Sequence, residues 1–282
     1  MQPDGTVPRS LVWATEIDVL PPDRVVTRRD GYLVVRSPGN PGHYWGNLLL
    51  FDEPPGPGDG ERWERAFDAE FADSPGVRHR TLAWDRADGE LGMAREELGP
   101  RCYDLEHMVG LVAGPGEVRP HPRADTQARV RPLDPAPGAD AALWRQVIEL
   151  WVAAREPRFG EQEHRDFARA RLAELRRMFL AGRGAWYVAL LGDEVAGSLG
   201  VVVTEGRGRY QAVDTAAAHR RRGICSRLVV EAALDAERRG ARRLVICADP
   251  GYHALGLYES LGFRRAERSA GACMLPASRR PA

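Results

Sequence analysis

No lysine occurs anywhere in this sequence. Its 40 basic residues are therefore all Arg, and 40 Asp and Glu balance them to a formal net charge of +0. A protein that coats a polyanion carries a clear basic excess, so a nucleic-acid partner is not expected. Asn is nearly absent too, appearing only at Asn40 and Asn47. Together these gaps read as the coding bias of a GC-rich, bacterial genome rather than as a functional demand. The cysteines (Cys102, Cys225, Cys247, Cys273) are scattered with no C-x-x-C pair. That spacing supports neither a zinc site nor a disulfide framework, and a reducing cytoplasm is the expected location. No apolar run approaches the length that spans a bilayer, and MQPDGTVPRS has no charged-then-apolar leader pattern. No membrane association and no metal are expected.

What is present is an ordinary globular composition, 43% hydrophobic over 282 residues. That length exceeds the usual single domain and predicts two packed units. The text GPGEVRPHPRADTQARVRPLDPAPGAD, near residues 115–140, is dense in Pro, Gly and charge. It reads as a linker or connecting loops holding one short strand, Ala128 to Pro132. The expected division is 1–125 and 126–282. No internal repeat is visible, although two halves can share a structure without sharing residues.

The second half alternates helical and strand periods. Leu143, Val147, Leu150, Trp151 and Ala154 mark one face of a helix, and Ala168, Leu172, Leu175 and Phe179 that of another. AWYVALLGDEVAGSLGVVVTEG reads as a hairpin turned at Gly192-Asp193, and GRYQAVDTA as the strand after it. Cys225, Leu228, Val229, Ala232, Ala233 and Ala236 then fall on one helical face, which Gly240 stops. RRLVICAD is a buried-type strand, YHALGLYESL a helix ended by Gly262, and Phe263 opens a last strand pair. The order predicts an α/β domain with a mixed sheet.

Chemistry concentrates where strand meets helix, in VDTAAAHRRRGICSRLV. A helix beginning after Gly223 leaves its first amides without carbonyl partners, and they combine with the helix dipole into an anion site. Gly223, with no Cβ, lets a bulky phosphate approach the backbone. Arg220, Arg221 and Arg222 add charge-assisted donors, each worth roughly 1.5–3 kcal/mol in good geometry. Such an arginine run alone is more commonly a solvated face. In this sequence of strand, arginines, glycine and amphipathic helix it points to a pyrophosphate.

RRRGIC, residues 220–225, resembles the R-x-x-G-x-G/A loop of the GNAT acetyltransferase superfamily, and LYESLGF, residues 257–263, its L-Y-x-x-x-G-F motif. The resemblance covers roughly residues 126–275. It implies a GNAT fold, a mixed and mostly antiparallel sheet flanked by helices. It implies acetyl-CoA as cosubstrate, held by backbone amides at Arg220, Arg221, Arg222, Gly223, Ile224 and Cys225. Pantetheine would lie strand-like against Val213, Asp214 and Thr215. Cys225 departs from the usual Gly or Ala, and DPGYHA lacks the Asn that often precedes the last helix.

The implied reaction is direct transfer of an acetyl group to a small-molecule or peptide amine, in a monomer or homodimer. The chain, having no lysine, offers no lysine amine of its own to the donor. Tyr258 would protonate the departing thiolate, although a core tyrosine is the plain alternative. Asp214, Glu205, His219 and His253 are candidates by type for the base, which stays unassigned. Cys225 reads either as a thiol activated at a helix N-terminus or simply as a small residue. A non-catalytic acyl-CoA-binding sensor or interaction protein is the competing function.

In the first half a strand is expected from Tyr44 to Asp52, then a helix with Trp63, Phe67 and Phe71 on one side, then a strand through VRHRTLAWD. The pattern resembles the leading segment of some bacterial tandem GNAT proteins. No second R-x-x-G-x-G/A loop follows it, so 1–125 is expected to be a degenerate GNAT-like domain. His43, Tyr44, Trp45, Gly46 and Asn47 read either as an acceptor pocket or as aromatic packing at a domain interface.

Overall fold

The computed structural model describes residues 5–251 and 253–276. Two compact units emerge, one running to Gly110 and resuming from Ala266, the other Leu111–Arg265. Compactness thus divides the chain before the expected 125/126. It also assigns the last strand to unit 1, because Gly271–Met274 pair there with Arg80–Ala83.

Unit 1 begins with helix α1 (Leu11–Asp18), whose Ser10 hydroxyl accepts from the Trp13 amide. Strands β1 (Val25–Arg29) and β2 (Tyr32–Arg36) form a hairpin turned at Asp30-Gly31, with Gly31 at φ 80°. Strand β3 (Leu48–Phe51) is antiparallel to β2 and buried throughout. It is shorter than the sequence predicts, for Tyr44–Gly46 is a 3₁₀ turn. The cause is Asn47: its side chain accepts from the Ser37 amide and donates to the Asn40 and His43 carbonyls, closing the preceding residues into a loop. His43, Gly46 and Asn47 are buried, and Trp45 packs on Trp13 at 5.6 Å within the same unit.

Helix α2 (Asp59–Glu70) buries Trp63 and Phe67, one turn apart, and ends at Phe71. Trp63 stacks on Phe51 at 3.7 Å. Strand β4 (Arg80–Trp84) is parallel to β3. Helix α3 (Ala94–Glu97) and strand β5 (Asp104–Ala113) follow.

Unit 2 contains strand β6 (Arg129–Pro132), helices α4 (Ala141–Ala154) and α5 (Glu161–Leu180), and strands β7 (Gly184–Leu191), β8 (Glu194–Thr204) and β9 (Arg207–Thr215). Helix α6 (Ile224–Arg238), strand β10 (Arg243–Ala248) and helix α7 (Ala254–Ser260) come next, and then strand β11 (Arg264–Met274). Strands β6 to β9 pair antiparallel in chain order, and β10 is parallel to β9. The predicted faces of α5 and α6 are inward apart from a half-buried Cys225; on α4, Ala154 is exposed and Trp144 is buried instead. The expected start of α7 at Tyr252 lies outside the described residues. After Phe263 the chain forms one strand of 11 residues rather than the expected pair.

The connectivity recurs. Strands β1-β2-β3, helix α2, parallel strand β4, helix α3 and strand β5 are matched in order by β7-β8-β9, α6, β10, α7 and β11. Both halves are built on one plan that their residues do not display.

Candidate functional site

The site residues lie along β9 and into α6. Strand β9 does not run evenly beside β8: Ser198 is opposite Asp214 and Gly200 opposite Gln211, so two residues of β9 face one of β8. This bulge places Ala212 at φ 42°, a left-handed conformation that costs an L-residue about 1–2 kcal/mol. On the other edge, β9 pairs with β10 only from Arg207 to Arg209. Beyond that point, Val213, Asp214 and Thr215 present a strand edge of backbone groups not paired to β10, suited to an extended ligand. All three are partly buried. The alternation of side chains in the sequence marks the strand but carries no sign of the bulge.

After Thr215 the chain turns through Ala217–His219 and passes three exposed arginines. The Arg220 Nε donates to the Thr215 carbonyl at 3.3 Å, Arg221 has φ 62°, and Arg222 lies 3.7 Å from Asp125. Gly223, at φ 81°, is the N-cap of α6 and, as a glycine, brings no capping side chain of its own. Ile224 is buried and Cys225 half-buried on its first turn.

The glycine has a further reason. A Cβ there would stand 2.0 Å from the Arg123 carbonyl oxygen and 2.7 Å from the Ala124 Cα. Residues 121–125 are pinned in that place, since the His121 amide donates to Ser226 Oγ at 3.0 Å and Arg227 to the Asp125 carbonyl at 3.1 Å. The close approach predicted for a phosphate is already made by the protein's own backbone, whose position fixes the loop.

The corresponding helix of unit 1 is different. Strand β3 leads into α2 through DEPPGPG, where two adjacent prolines donate nothing. The Glu97 carboxylate accepts from the Gly58 amide at 2.7 Å and the Gly60 amide at 3.0 Å. An internal anion occupies the N-terminus of α2.

The four candidate bases separate clearly. Glu205 is exposed in the β8–β9 turn at φ 50°. His219 is engaged in the loop, 3.2 Å from Glu194 and 3.4 Å from Arg222. His253 is the N-cap residue of α7. Asp214 stands apart, because burial raises its pKa to about 6, only partly opposed by Arg220. Burial also pushes the Cys225 thiol up to about 12, with Asp214 adding to it, so this cysteine is not an activated thiolate.

Tyr258 is buried on α7 and meets Phe263 edge-on at 6.3 Å; Phe263 meets Tyr210 of β9 at 5.9 Å. The three rings connect α7 to β9. Tyr210, whose hydroxyl donates to the Val229 carbonyl of α6 at 2.8 Å, was not singled out by the sequence. A cavity of about 250 Å³ adjoins the loop, lined by Gln146, Glu149, Leu150, Glu194, Thr215 and Arg220 among others. Among the described residues no cluster of His, Cys, Asp and Glu is arranged to hold a metal, and no helix is long and apolar enough to cross a membrane.

Residues 144–263 match the model of the Acetyltransferase (GNAT) family. No curated protein matches the chain. A conserved protein of unknown function from Staphylococcus epidermidis is similar in structure, with TM-score 0.67 and 11% identity over 89% of this chain and 94% of that one. So is a GCN5-related N-acetyltransferase from Kribbella flavida, with TM-score 0.59 and 12% identity over 89% of each chain. A tandem GNAT protein from the clavulanic acid biosynthesis pathway aligns with 95% of this chain and 90% of its own, at TM-score 0.55 and 17% identity. At such identities the likeness is one of fold.

Proposed function

We propose that this chain, which carries an acetyltransferase (GNAT) family domain over residues 144–263 within a tandem-GNAT-like fold, is an acetyl-CoA-dependent N-acetyltransferase acting on a primary amine. The observation that carries the reading is the continuous run from the edge of β9 not paired to β10 to the glycine N-cap of α6. The amides from Arg221 to Cys225 suit a pyrophosphate, the Arg220 amide being held by the Ala217 carbonyl at 3.4 Å, and Arg220, Arg221 and Arg222 stand beside them at exposed positions. Val213, Asp214 and Thr215 offer backbone partners to pantetheine. Acetyl-CoA supplies a thioester carbonyl.

The chain's own groups supply the rest. An N–H on the free edge of β9 stabilises charge developing on the carbonyl oxygen. Asp214, titrating near 6, is a competent acceptor for the ammonium proton at neutral pH. As the nitrogen bonds to the carbonyl carbon and the C–S bond breaks, the Tyr258 phenol gives its proton to the sulfur, and the proton the nitrogen sheds in becoming an amide restores the phenol through solvent. The acceptor, a small-molecule or peptide amine, has the cavity beside Thr215 to enter, where Glu149 and Glu194 offer carboxylate partners. The first half is a degenerate GNAT-like domain that binds no acyl-CoA at α2, since Glu97 fills the position an incoming phosphate needs. Four free cysteines suit the reducing cytoplasm of a bacterium.

Calorimetry with acetyl-CoA tests the loop. Gly223→Ala strains a residue at φ 81° and drives a Cβ into the 123–125 backbone. Binding should fall at least tenfold, roughly 1.4 kcal/mol. Unchanged affinity would remove the α6 N-terminus from the cofactor site. Acetyl-CoA consumption across a panel of amines then separates an enzyme from a sensor, which binds without turnover.

A further inference from the structure

We infer that the buried Arg171–Glu174 pair of α5 is a positioning device that holds the β9 bulge in shape. Both residues are 3% exposed, and Arg171 Nη1 donates to Glu174 Oε2 at 3.2 Å. The other arm of the guanidinium, Nη2, donates to Gln211 Oε1 at 3.4 Å. Gln211 in turn donates from Nε2 to the Tyr210 carbonyl at 2.9 Å. The next residue is Ala212, at φ 42°. Four groups thus form one chain of contacts from a helix interior to the Tyr210–Gln211 peptide, one peptide ahead of the strained position.

Three physical considerations give this chain its meaning. An L-residue in the left-handed region persists only where its surroundings over-determine it. Nothing in the sequence QAVDT, which lacks glycine at this point, supplies that conformation locally. Stability alone is a poor reason for the pair, since apolar residues of similar volume commonly replace a buried ion pair at no loss. Glu174 Oε1 is moreover buried without a hydrogen-bond partner, an arrangement that stability would not favour. What the pair does is hold the guanidinium in place, and through it the Gln211 amide. The bulge turns the backbone groups of Val213 to Thr215, so its shape sets their aim. The catalytic consequence rests on the acyl-CoA reading of that edge; the mechanical one does not.

The apolar double variant R171M/E174M, compared with wild type in the full-length protein, tests both. Hydrogen exchange should quicken roughly tenfold or more in peptides covering residues 210–215, while α5 and the thermal midpoint stay close to wild type. Turnover should fall roughly ten- to a hundredfold, and acetyl-CoA affinity much less, because a small misplacement of donors is felt in the transition state. Q211L should reproduce the effect, and adding R171M to Q211L should then cost little more. Wild-type exchange at 210–215 in the double variant would overturn the brace. Altered exchange with wild-type turnover would leave the brace in place and overturn its catalytic role. A wild-type protein that neither binds acetyl-CoA nor acetylates an amine would defeat the proposed function, while the exchange result would still decide the brace.

Discussion

Replacing Asp214 by Asn removes a charge that the fold resists, and the effect is readable in both stability and rate. The carboxyl titrates near 6 in the folded protein, against an ordinary value of 3.8. Its anion is therefore disfavoured by about 3 kcal/mol relative to the unfolded chain. The sign follows from proton binding. Below about pH 4 both states hold the proton, and Asp214 contributes no pH dependence. From there to about 6 the unfolded chain releases its proton while the folded one keeps it, so stability declines; above 6 the full penalty applies. Asp214→Asn should accordingly be more stable than wild type at pH 8, by up to about 3 kcal/mol, with the difference shrinking toward zero at pH 4.

Urea unfolding of both proteins at pH 4, 6 and 8 measures this, and subtraction cancels every other titrating group. The kinetic arm is independent. If Asp214 takes the ammonium proton, kcat/KM should fall about a hundred- to ten-thousandfold in the variant. The acid limb of the wild-type profile, with an apparent pKa near 6, should vanish. A stability difference that stays flat from pH 4 to 8 would refute the burial argument. An acid limb unchanged in the variant would refute Asp214 as the base, whatever the stability shows.

Tyr258→Phe keeps the ring that meets Phe263 at 6.3 Å and removes only the hydroxyl. With chemistry limiting, kcat should drop about a hundredfold while acetyl-CoA affinity measured by calorimetry holds; wild-type turnover would return Tyr258 to the core. Glu97→Ala uncovers the Gly58 and Gly60 amides at the start of α2 and removes their anion. Thermal denaturation should show unit 1 destabilised by about 1 kcal/mol, with kcat unaffected. A parallel loss of turnover would contradict the restriction of the acyl-CoA site to the second half.

Legibility of the sequence tracks the range of the interactions involved. The inward faces of α5 and α6 are local periodicities, and the structure buries them apart from the half-buried Cys225. The Gly192 and Gly240 stops are local too, each glycine having a positive φ. The strand expected from Tyr44 fails because Asn47 binds groups as many as ten residues away, a contact that β-propensity does not register. The bulge at Ala212 escapes for the same reason, since its support comes from Arg171, 40 residues from Gln211. Asp214 was visible as a carboxylate on a strand; that burial separates it from Glu205 required coordinates.

Gly223 and Glu97 together show how one plan comes to hold different chemistry. In each half a parallel strand pair brackets a helix whose first amides need partners, because the first turn of any helix leaves them unpaired. There are two ways to meet that need: a group of the protein itself, or something bound. Unit 1 uses the Glu97 carboxylate, held at 2.7 and 3.0 Å from two amides, and its approach loop is acidic and proline-rich. Unit 2 starts α6 at a glycine, which brings no carboxylate of its own, and three exposed arginines precede it. Its glycine is locked by contact with residues 123–125 rather than left loose. A helix end that is held in place and preceded by arginines is well suited to an anion, because the helix dipole and the positive charge act on it together. On the proposed acyl-CoA reading, the absence of an R-x-x-G-x-G/A loop in the first half and its presence in the second are two sides of a single physical choice, internal carboxylate or external phosphate.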